Sequence, residues 1–485
     1  MKTNEALKKV VIEQITEEIE ELFEHLEPIE EGAFQQIEAS ILQAVMSIGR
    51  RWLEQMLNAP GEANQAHARR EGTCGHRQRL VGIREKTVLT VMGKVTVRRP
   101  YYQCIQREKE QKEQEASADH HGSAPFDTIW GIERGRTSPG VQKIVSYFGA
   151  SQTLSEIAEA LEVIVPFSLS ARQILHLIQP VGEALRREEE ESLEKMKQEA
   201  AQKRSQATPE RRHQEKKPRR WYVELDGVMA RIRRESIEIV KEEKERSGDV
   251  YREIKVGAIF EGKPGRNRSE LVPGIFVDEA GPITYMARQI TAEAFGYLFY
   301  HLVSSRGIEE GDEIVVLGDG AVWIWKIAQE HFPHAVHIVD IWHAREHVWN
   351  VANAVYGVGK SETAFWAKQA CEWLNEGAIE RLLQEIEALP PIAPAAGASR
   401  SVPAIEADYF RTNAKRMRYP VFRAKGMHLG SGIAEAACKT VVSTRAKRSG
   451  MRWTPQGLDA ILALRTTVLN KTYKTFWQPR HHLIA

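Results

Sequence analysis

The sequence predicts a multidomain α+β protein. Its 485 residues are enough for three or more domains, and the 42% that are apolar support a buried core. Helical periodicity dominates residues 1–58, whereas residues 86–102 alternate in the manner of a β hairpin. From residue 221 onward, short apolar runs alternate with helical patterns, which is typical of a mixed α/β domain.

The overall composition excludes some classes of protein. The net charge is +1, so any contact with nucleic acid must come from local basic patches. Four scattered cysteines argue against a disulfide scaffold. No apolar run approaches the length of a membrane span, and no apolar signal core follows the first residues. We therefore expect a cytoplasmic protein with no membrane partner.

The first 124 residues divide into three predicted regions. Residues 1–70 form amphipathic helices that pack on each other or on a partner chain. Residues 71–107 form a small β ribbon, whose hairpin turns at Met92-Gly93-Lys94. Residues 108–124 are a polar loop, in which His120 and His121 are expected to be solvated.

Residues 125–180 are predicted to be helical and to resemble a helix-turn-helix. Thr153 and Glu156 have the spacing of a capping box, and a break around Pro166 separates the next helix. The last helix could enter a major groove; the alternative is a helical spacer without DNA contact. Its DNA-contacting residues would be Arg172, Gln173 and His176. Residues 181–220 follow as a charged helix and a basic linker.

The remaining sequence predicts one α/β domain with an insertion. Residues 221–349 form its first part, with five strands and a helix from Ala292 to Ser304. The predicted strands end at Asp226, Phe260, Ala287, Asp319 and Asp340. Three antiparallel strands followed by two parallel ones are expected. Residues 350–425 are read as a helical insertion with tryptophans in its core, and residues 426–485 complete the domain.

Acidic residues at the ends of these strands are the candidate site. Asp319 follows the apolar run Ile314–Leu317 and lies between Gly318 and Gly320. Taken alone, this is as well explained by a βα turn with a capping Asp. Asp226 ends a second apolar strand, and Glu435 opens a late helix. Three carboxylates that converge would suit two divalent cations and an in-line phosphoryl displacement.

Six segments carry a resemblance to a known family. They are Leu225–Gly227, Leu317–Trp325, Ile338–His347, Asn413–Tyr419, Gly430–Lys439 and Arg445–Trp453. In order and spacing they resemble the DDE transposases of bacterial insertion sequences, close to the ISKra-type family and more distantly the Mutator-like group. The resemblance extends over about residues 220 to 478. It implies an RNase H-like catalytic core and DNA strand transfer in the bacterial nucleoid.

The resemblance also implies a site and its partners. Asp226, Asp319 and Glu435 would hold Mg²⁺ or Mn²⁺, as two ions. Asp340 and His343 resemble an Asp-x-x-His signature and are given a supporting role, either positioning a ligand or donating a hydrogen bond to the scissile phosphate, with His343 counted among the catalytic residues. The expected partners are the terminal inverted repeats of the element, target DNA, and one or more further copies of the chain.

Basic residues after Glu435 are the second candidate for DNA contact. They are Lys439, Arg445, Lys447, Arg448 and Arg452. With Trp453 they form a basic stripe suited to phosphates; the alternative is a solvated helix end.

Three other functions are alternatives to a transposase. A domesticated transposase would bind DNA without cutting it, and a stand-alone nuclease would cut without joining. A phosphatase with Asp226 as nucleophile would need a second Asp at position 228, where this chain has Val.

Zinc is not expected in the ribbon. Relatives have paired cysteines three apart, but the partner positions of Cys74 and Cys104 are Glu71 and Arg107. We predict a zinc-free ribbon, stabilised mainly by the packing of Val88, Val91, Val95 and Val97.

Overall fold

The computed structural model has two compact units. It describes residues 2–25, 34–59, 65–66, 69–71, 76–105, 122–132, 135–206, 218–234, 250–268, 276–309, 311–394, 397 and 399–478. Unit 1 comprises Met1–Ala184 and Tyr473–Ala485, and unit 2 comprises Leu185–Thr472. The fold is multidomain α+β, as predicted.

Unit 1 begins with the two predicted amphipathic helices, α1 (Lys2–His25) and α2 (Phe34–Asn58). The end of α2 lies against the β ribbon. There the Asn58 side chain donates to Thr96 O at 2.8 Å and accepts from Arg98 N at 2.7 Å. Leu53 and Leu57 of the same helix pack against the apolar face of the ribbon.

The ribbon is an antiparallel sheet with the order β1 (Arg69–Glu71), β2 (Arg77–Thr90) and β3 (Gly93–Cys104). Val88, Val95 and Val97 are buried, as predicted, whereas Val91 lies at the turn and is half-buried. The polar loop and the positions Cys74 and Arg107, on which the zinc prediction depends, lie outside the described residues.

Four further helices follow the ribbon in the described part of the chain, and the last of them extends from unit 1 into unit 2. They are α3 (Pro125–Ile129), α4 (Pro139–Gly149), α5 (Leu154–Ile164) and α6 (Ala171–Gln206). Thr153 and Glu156 form the predicted capping box at the start of α5. Helix α6 continues through Pro180, so the predicted domain boundary at residue 180 lies inside a helix, four residues before the observed division between the units. Most of the predicted basic linker lies outside the described residues.

The core of unit 2 is a six-stranded mixed sheet. Its strands are β4 (Arg220–Ile232), β5 (Val250–Arg268), β6 (Phe276–Ala280), β7 (Thr284–Arg288), β8 (Glu313–Gly318) and β9 (Val336–Val339). The order is β6-β5-β4-β8-β9, with β7 also paired to β5. Pairs β4–β8 and β8–β9 are parallel, and the others are antiparallel. This is the RNase H-like order implied by the resemblance, with two short strands where the sequence predicts one.

Three helices accompany the strands of unit 2. They are α7 (Ala292–Ser304), α8 (Val322–His331) and α9 (Ile341–Tyr356). The bounds of α7 are those predicted, and its start is capped by the Thr291 hydroxyl. Apolar residues of α7, α8 and α9 form one core with the buried faces of β4, β8 and β9.

The predicted insertion is helical. It contains α10 (Ser361–Asn375), α11 (Ile379–Glu387), α12 (Val402–Asn413), a 3₁₀ turn (Ala414–Arg416) and α13 (Tyr419–Ala424). Of the tryptophans expected in its core, Trp373 is buried and Trp366 packs against the core. Trp349 was predicted wrongly, because it is 37% exposed.

The remaining helices are short, apart from one. They are α14 (Gly432–Ala437), a π-helical turn (Cys438–Ser443), α15 (Thr444–Ala446), α16 (Pro455–Leu469) and α17 (Tyr473–Phe476). In the π turn, Thr440 O accepts from the Arg465 guanidinium at 2.5 and 2.8 Å and from the Thr444 hydroxyl at 2.8 Å. None of the described helices is long and apolar enough to cross a membrane.

Candidate active site

Strand register places three acidic residues in one row. The offset of 93 residues that pairs Arg220 with Glu313 also separates Asp226 from Asp319. The offset of 21 residues that pairs Val315 with Val336 also separates Asp319 from Asp340. The three acids therefore lie side by side across neighbouring parallel strands. They lie where β8 and β9 end, which is where open α/β sheets bind ligands.

Asp226 is half-buried in strand β4. Its Oδ1 accepts a hydrogen bond from Gly227 N at 2.7 Å. Burial raises the pKa of Asp226, and the charge of Asp319 adds to this, whereas a hydrogen bond from the Cys438 thiol opposes it. The two carboxylates are thus close enough to repel each other.

Asp319 lies in the turn between β8 and α8 and is half-buried. Its Oδ1 accepts from Ala321 N at 2.8 Å, which fixes the side chain at the start of the turn. Gly320 follows with φ 108°, a backbone conformation that favours glycine. The turn therefore presents the carboxylate towards the neighbouring Asp226.

Glu435 approaches the row from α14. Its side chain is 52% exposed, and its backbone N–H donates to Ser431 O at 3.0 Å. Burial raises the pKa of Glu435, the charges of Asp340 and Asp226 raise it further, and His343 opposes them. Asp226 and Asp340 are thus electrostatic neighbours of Glu435, and the joint role of Asp226, Asp319 and Glu435 stays a prediction.

Asp340 is fully buried and bonded on both oxygens. Its Oδ1 accepts from Trp342 N at 2.6 Å and His343 N at 3.3 Å, which caps α9. Its Oδ2 accepts from Ser431 N at 2.5 Å and Ser431 Oγ at 2.6 Å. Burial alone would raise the pKa of Asp340, but the nearby His343 side chain and the hydrogen bonds from Ser431 lower it below its usual value. Asp340 thereby joins the start of α9 to the segment that leads into α14.

His343 faces two carboxylates. Its Nδ1 lies 3.7 Å from Asp340 Oδ2 and 3.9 Å from Glu435 Oε1, both beyond hydrogen-bond distance. Its interaction with Asp340 raises the pKa of His343 to about 9, and Asp319 and Glu346 add to this. In the metal-free protein the imidazole is therefore cationic at neutral pH. A cation bound beside it would lower this pKa.

Glu224 is a site residue that sequence reasoning missed. It lies two residues before Asp226 and is fully buried. Its Oε2 accepts from Ala434 N at 2.8 Å, so it holds the first turn of α14 against strand β4. Burial raises the pKa of Glu224 to about 8, and Asp340 and Glu435 add to this. The only signal in the sequence is an acid inside the otherwise apolar run Trp221–Leu225.

The chemistry of the donor atoms fits a hard divalent cation. Among the described residues, no lysine or arginine forms an ion pair with Asp226, Asp319 or Glu435. Carboxylate oxygens are the ligands that Mg²⁺ and Mn²⁺ prefer. Burial and the charge of Asp226 raise the pKa of the Cys438 thiol, which donates a hydrogen bond to that carboxylate. Among the described residues, the acids and histidines whose donor atoms all lie within 4.8 Å of one another are Asp340, His343 and Glu435, and not Asp226, Asp319 and Glu435. Both oxygens of Asp340 are already hydrogen-bonded.

The basic residues after Glu435 are not equivalent. Lys439, Lys447, Arg448 and Arg452 are exposed. Arg445 is only 1% exposed, and its guanidinium lies 5.2 Å from the centre of the Trp453 ring. The prediction that Arg445 binds phosphate was therefore wrong, because a buried guanidinium cannot contact a duplex.

The predicted DNA-contacting residues of unit 1 lie at the start of α6. Arg172, Gln173 and His176 are all exposed there. The side-chain oxygen of Gln173, Oε1, accepts hydrogen bonds from Ser170 N at 2.9 Å and from Ser170 Oγ at 2.8 Å. Gln173 therefore has a capping role in addition to the one predicted, and its amide N–H groups remain available.

Comparison with known proteins does not assign this chain to a family. No family model and no curated protein matches the chain. A solved structure that does match is the strand transfer complex of the Drosophila P element transposase, with 9% sequence identity and a TM-score of 0.23. The match covers 76% of this chain and 87% of that one. A TM-score of 0.23 is too low to infer the fold or the function of this chain from that structure.

Proposed function

We propose that this chain is a DNA transposase of the DDE class, which cuts DNA at the ends of an insertion sequence and joins them to target DNA. One observation carries the proposal. Asp226 on β4 and Asp319, which directly follows β8, are separated by the same offset as the paired residues of these strands and interact electrostatically. Glu435 interacts with Asp226 from a third element, and no described lysine or arginine forms an ion pair with any of the three acids. The resemblance of six sequence segments to insertion-sequence transposases supports the same reading.

Asp226, Asp319 and Glu435 would hold the metal, as Mg²⁺ or Mn²⁺. Two such ions, when bound, activate the attacking oxygen and stabilise the leaving oxygen of a phosphodiester. Like charges held this close disfavour joint ionisation, so a cation would lower the raised pKa of both Asp226 and Glu435. The protein thus keeps the acids together at some cost in stability, which bound cations would offset.

The neighbouring side chains orient these ligands. Asp340 caps α9 and binds Ser431, so it fixes His343 and the approach to Glu435 together. Glu224 binds the first turn of the Glu435 helix from strand β4. His343 faces Glu435 and, as a cation or as a neutral N–H donor, could bind a non-bridging phosphate oxygen.

DNA would be bound through exposed basic side chains. Lys439, Lys447, Arg448 and Arg452 follow Glu435 closely in sequence and are exposed, as phosphate contact requires. In unit 1, Arg172, Gln173 and His176 at the start of α6 are the candidates for contact with the inverted repeats. Joining two ends of one element calls for at least two copies of the chain.

A strand-transfer assay tests the proposal. The DNA that flanks the gene is sequenced for inverted repeats, and a labelled duplex with one repeat is incubated with the full chain, Mg²⁺ and a target plasmid. We expect nicking at the repeat and covalent joining of the labelled 3′ end to the plasmid. Cutting without joining would identify a nuclease, and binding without cutting a DNA-binding protein; either result would overturn the proposal.

A further inference from the structure

The helical insertion reaches the candidate site through one tyrosine. Tyr409 lies on α12, and its hydroxyl donates to the backbone carbonyl of Asp319 at 2.9 Å. Burial raises the pKa of Tyr409, and the charges of Asp319 and Asp340 raise it further, so the hydroxyl stays protonated and can only donate to that carbonyl. The contact joins the insertion to the turn that carries a proposed metal ligand.

The same tyrosine ring covers Gly320. A Cβ atom at Gly320 would lie 2.5 Å from Tyr409 Cε2 and 2.9 Å from its hydroxyl oxygen. Gly320 is therefore required twice, by its φ of 108° and by the ring packed over it. The turn that follows Asp319 is thus shaped by a side chain that lies 90 residues further along the chain.

A second pair of residues holds the tyrosine ring. The His347 ring stacks on Tyr409 with centroids 3.6 Å apart and planes 20° from parallel. His347 Nδ1 lies 2.5 Å from Glu406 Oε2, and the other Glu406 oxygen accepts from Asn350 Nδ2 at 3.2 Å. Glu406 is 7% exposed, so this pairing is shielded from water.

These contacts link two helices across the site. His347 lies one turn after His343 on α9, and Glu406 lies one turn before Tyr409 on α12. The order of contact is Glu406 to His347, His347 to Tyr409, and Tyr409 to the Asp319 turn. Neither His347 nor Tyr409 donates to the Asp319 carboxylate itself, whose Oδ1 is held by Ala321 N.

We propose that Tyr409 is a positioning residue for Asp319, and that His347 and Glu406 lock its ring in place. The insertion is then part of the machinery that sets the metal site. This inference rests on the proposed function in so far as Asp319 is taken to be a metal ligand. Loss of the hydroxyl would let the turn relax, weaken cation binding, and slow a reaction that depends on ligand placement.

The test is Tyr409→Phe in the full chain, which removes only the hydroxyl. Mn²⁺ binding to the DNA-free protein is measured by calorimetry, and the Mg²⁺ concentration for half-maximal DNA cleavage is measured separately. We expect both to weaken roughly three- to tenfold, the range expected for one missing hydrogen bond. His347→Ala, which removes the stacked ring, is expected to change both in the same direction.

Tyr222→Phe is the matched control. Tyr222 is a buried tyrosine of the same unit, and its hydroxyl donates to Asp278 Oδ2 at 2.8 Å, a bond that is not made at the candidate site. It should lower thermal stability without changing Mn²⁺ binding. Tyr409→Phe should weaken Mn²⁺ binding as well as lower thermal stability, and a merely structural role would not change Mn²⁺ binding.

The outcomes separate this inference from the proposed function. If the chain does not cut DNA but Tyr409→Phe weakens Mn²⁺ binding, the positioning role stands and the proposed function fails. If Tyr409→Phe binds Mn²⁺ like the wild type, the positioning role is overturned, whatever the chain does to DNA. It is also overturned if the wild type binds no Mn²⁺, because Asp319 would then not be a ligand.

Discussion

Acidic residues at the two ends of the unit 2 sheet have different partners. Where β4 and β8 begin, Arg220 forms ion pairs with two carboxylates, Asp278 and Glu313, each at 2.8 Å. At the other end of these strands, Asp226 and Asp319 lie side by side with neutral donors only. Acids that are paired with a cation stabilise the folded state, whereas acids that are clustered together repel one another and destabilise it. The proposed function would account for the difference, because the second group would then serve to bind a cation rather than to stabilise the fold.

The largest expected effect comes from neutralising the clustered acids. Asp226→Asn, Asp319→Asn and Glu435→Gln should each lower DNA cleavage in Mg²⁺ by on the order of 10³-fold, because each removes a ligand worth several kcal/mol in the transition state. The melting temperature should stay level or rise, because repulsion is relieved.

Gel-shift and cleavage assays on the same preparations would check this prediction. DNA affinity should be nearly unchanged for all three variants. Cleavage within tenfold of the wild type would remove that residue from the proposed site.

The paired acids should respond in the opposite way. Asp278→Asn weakens the ion pair with Arg220 and the hydrogen bond from Tyr222, at 11% side-chain exposure, so unfolding should become easier by about 1–3 kcal/mol. Cleavage measured below the melting temperature should stay within about twofold of the wild type, since the substitution leaves the ligands intact. Urea denaturation gives the first quantity. If Asp278→Asn kept the stability of the wild type but no longer cleaved DNA, the proposed difference between the paired and the clustered acids of the sheet would be contradicted.

The exposed basic residues after Glu435 offer a smaller effect. Replacing Lys447, Arg448 and Arg452 by Ala should flatten the log–log salt dependence of DNA binding by roughly 0.9 for each phosphate that is no longer neutralised. Arg445→Ala should leave the slope unchanged and lower the melting temperature, because Arg445 is buried against Trp453. Filter binding at several salt concentrations measures the slope. Equal slopes for wild type and triple variant would mean that these side chains do not bind DNA.

The smallest expected effect is on how the stability of the fold depends on pH. It comes from His428, which lies beside Asp278 at the end of the sheet where the acids are paired. Burial lowers the pKa of His428 from its usual 6.5, and Arg220 adds to this, whereas Asp278, whose backbone carbonyl accepts from Nε2 at 2.6 Å, opposes it. The folded state thus disfavours the imidazolium. His428 costs nothing above pH 6.5, and stability is lost as pH falls below that value towards the lower, folded-state pKa. His428→Gln should lose less stability between pH 7 and pH 5 in urea titrations. A parallel loss in both proteins would refute it.

Elements with a strong local signal could be predicted from the sequence. Helix α7 has a capping threonine and a clear apolar face, and its predicted bounds are those observed. Apolar runs that end in an acid gave β8 and β9, and through them Asp319 and Asp340. Because parallel strands share an edge, their terminal acids could be expected to meet.

Other features depend on contacts that a linear pattern does not contain. Strand β5 runs from Val250 to Arg268, well beyond the predicted apolar segment, because its ends pair with β4 and β6. Arg445 is polar in sequence but buried in the fold, under Trp453. Tyr409 acts on a turn 90 residues earlier. None of these has a periodicity or motif that would reveal it.

Anomalous diffraction from Mn²⁺-soaked crystals of the full chain would test the central claim most directly. The claim is that Asp226, Asp319 and Glu435 form one cation site. We predict two manganese peaks roughly 3.5–4 Å apart, with carboxylate oxygens of these three residues as their protein ligands. Manganese bound elsewhere, with no peak between Asp226 and Asp319 at saturating Mn²⁺, would contradict the account.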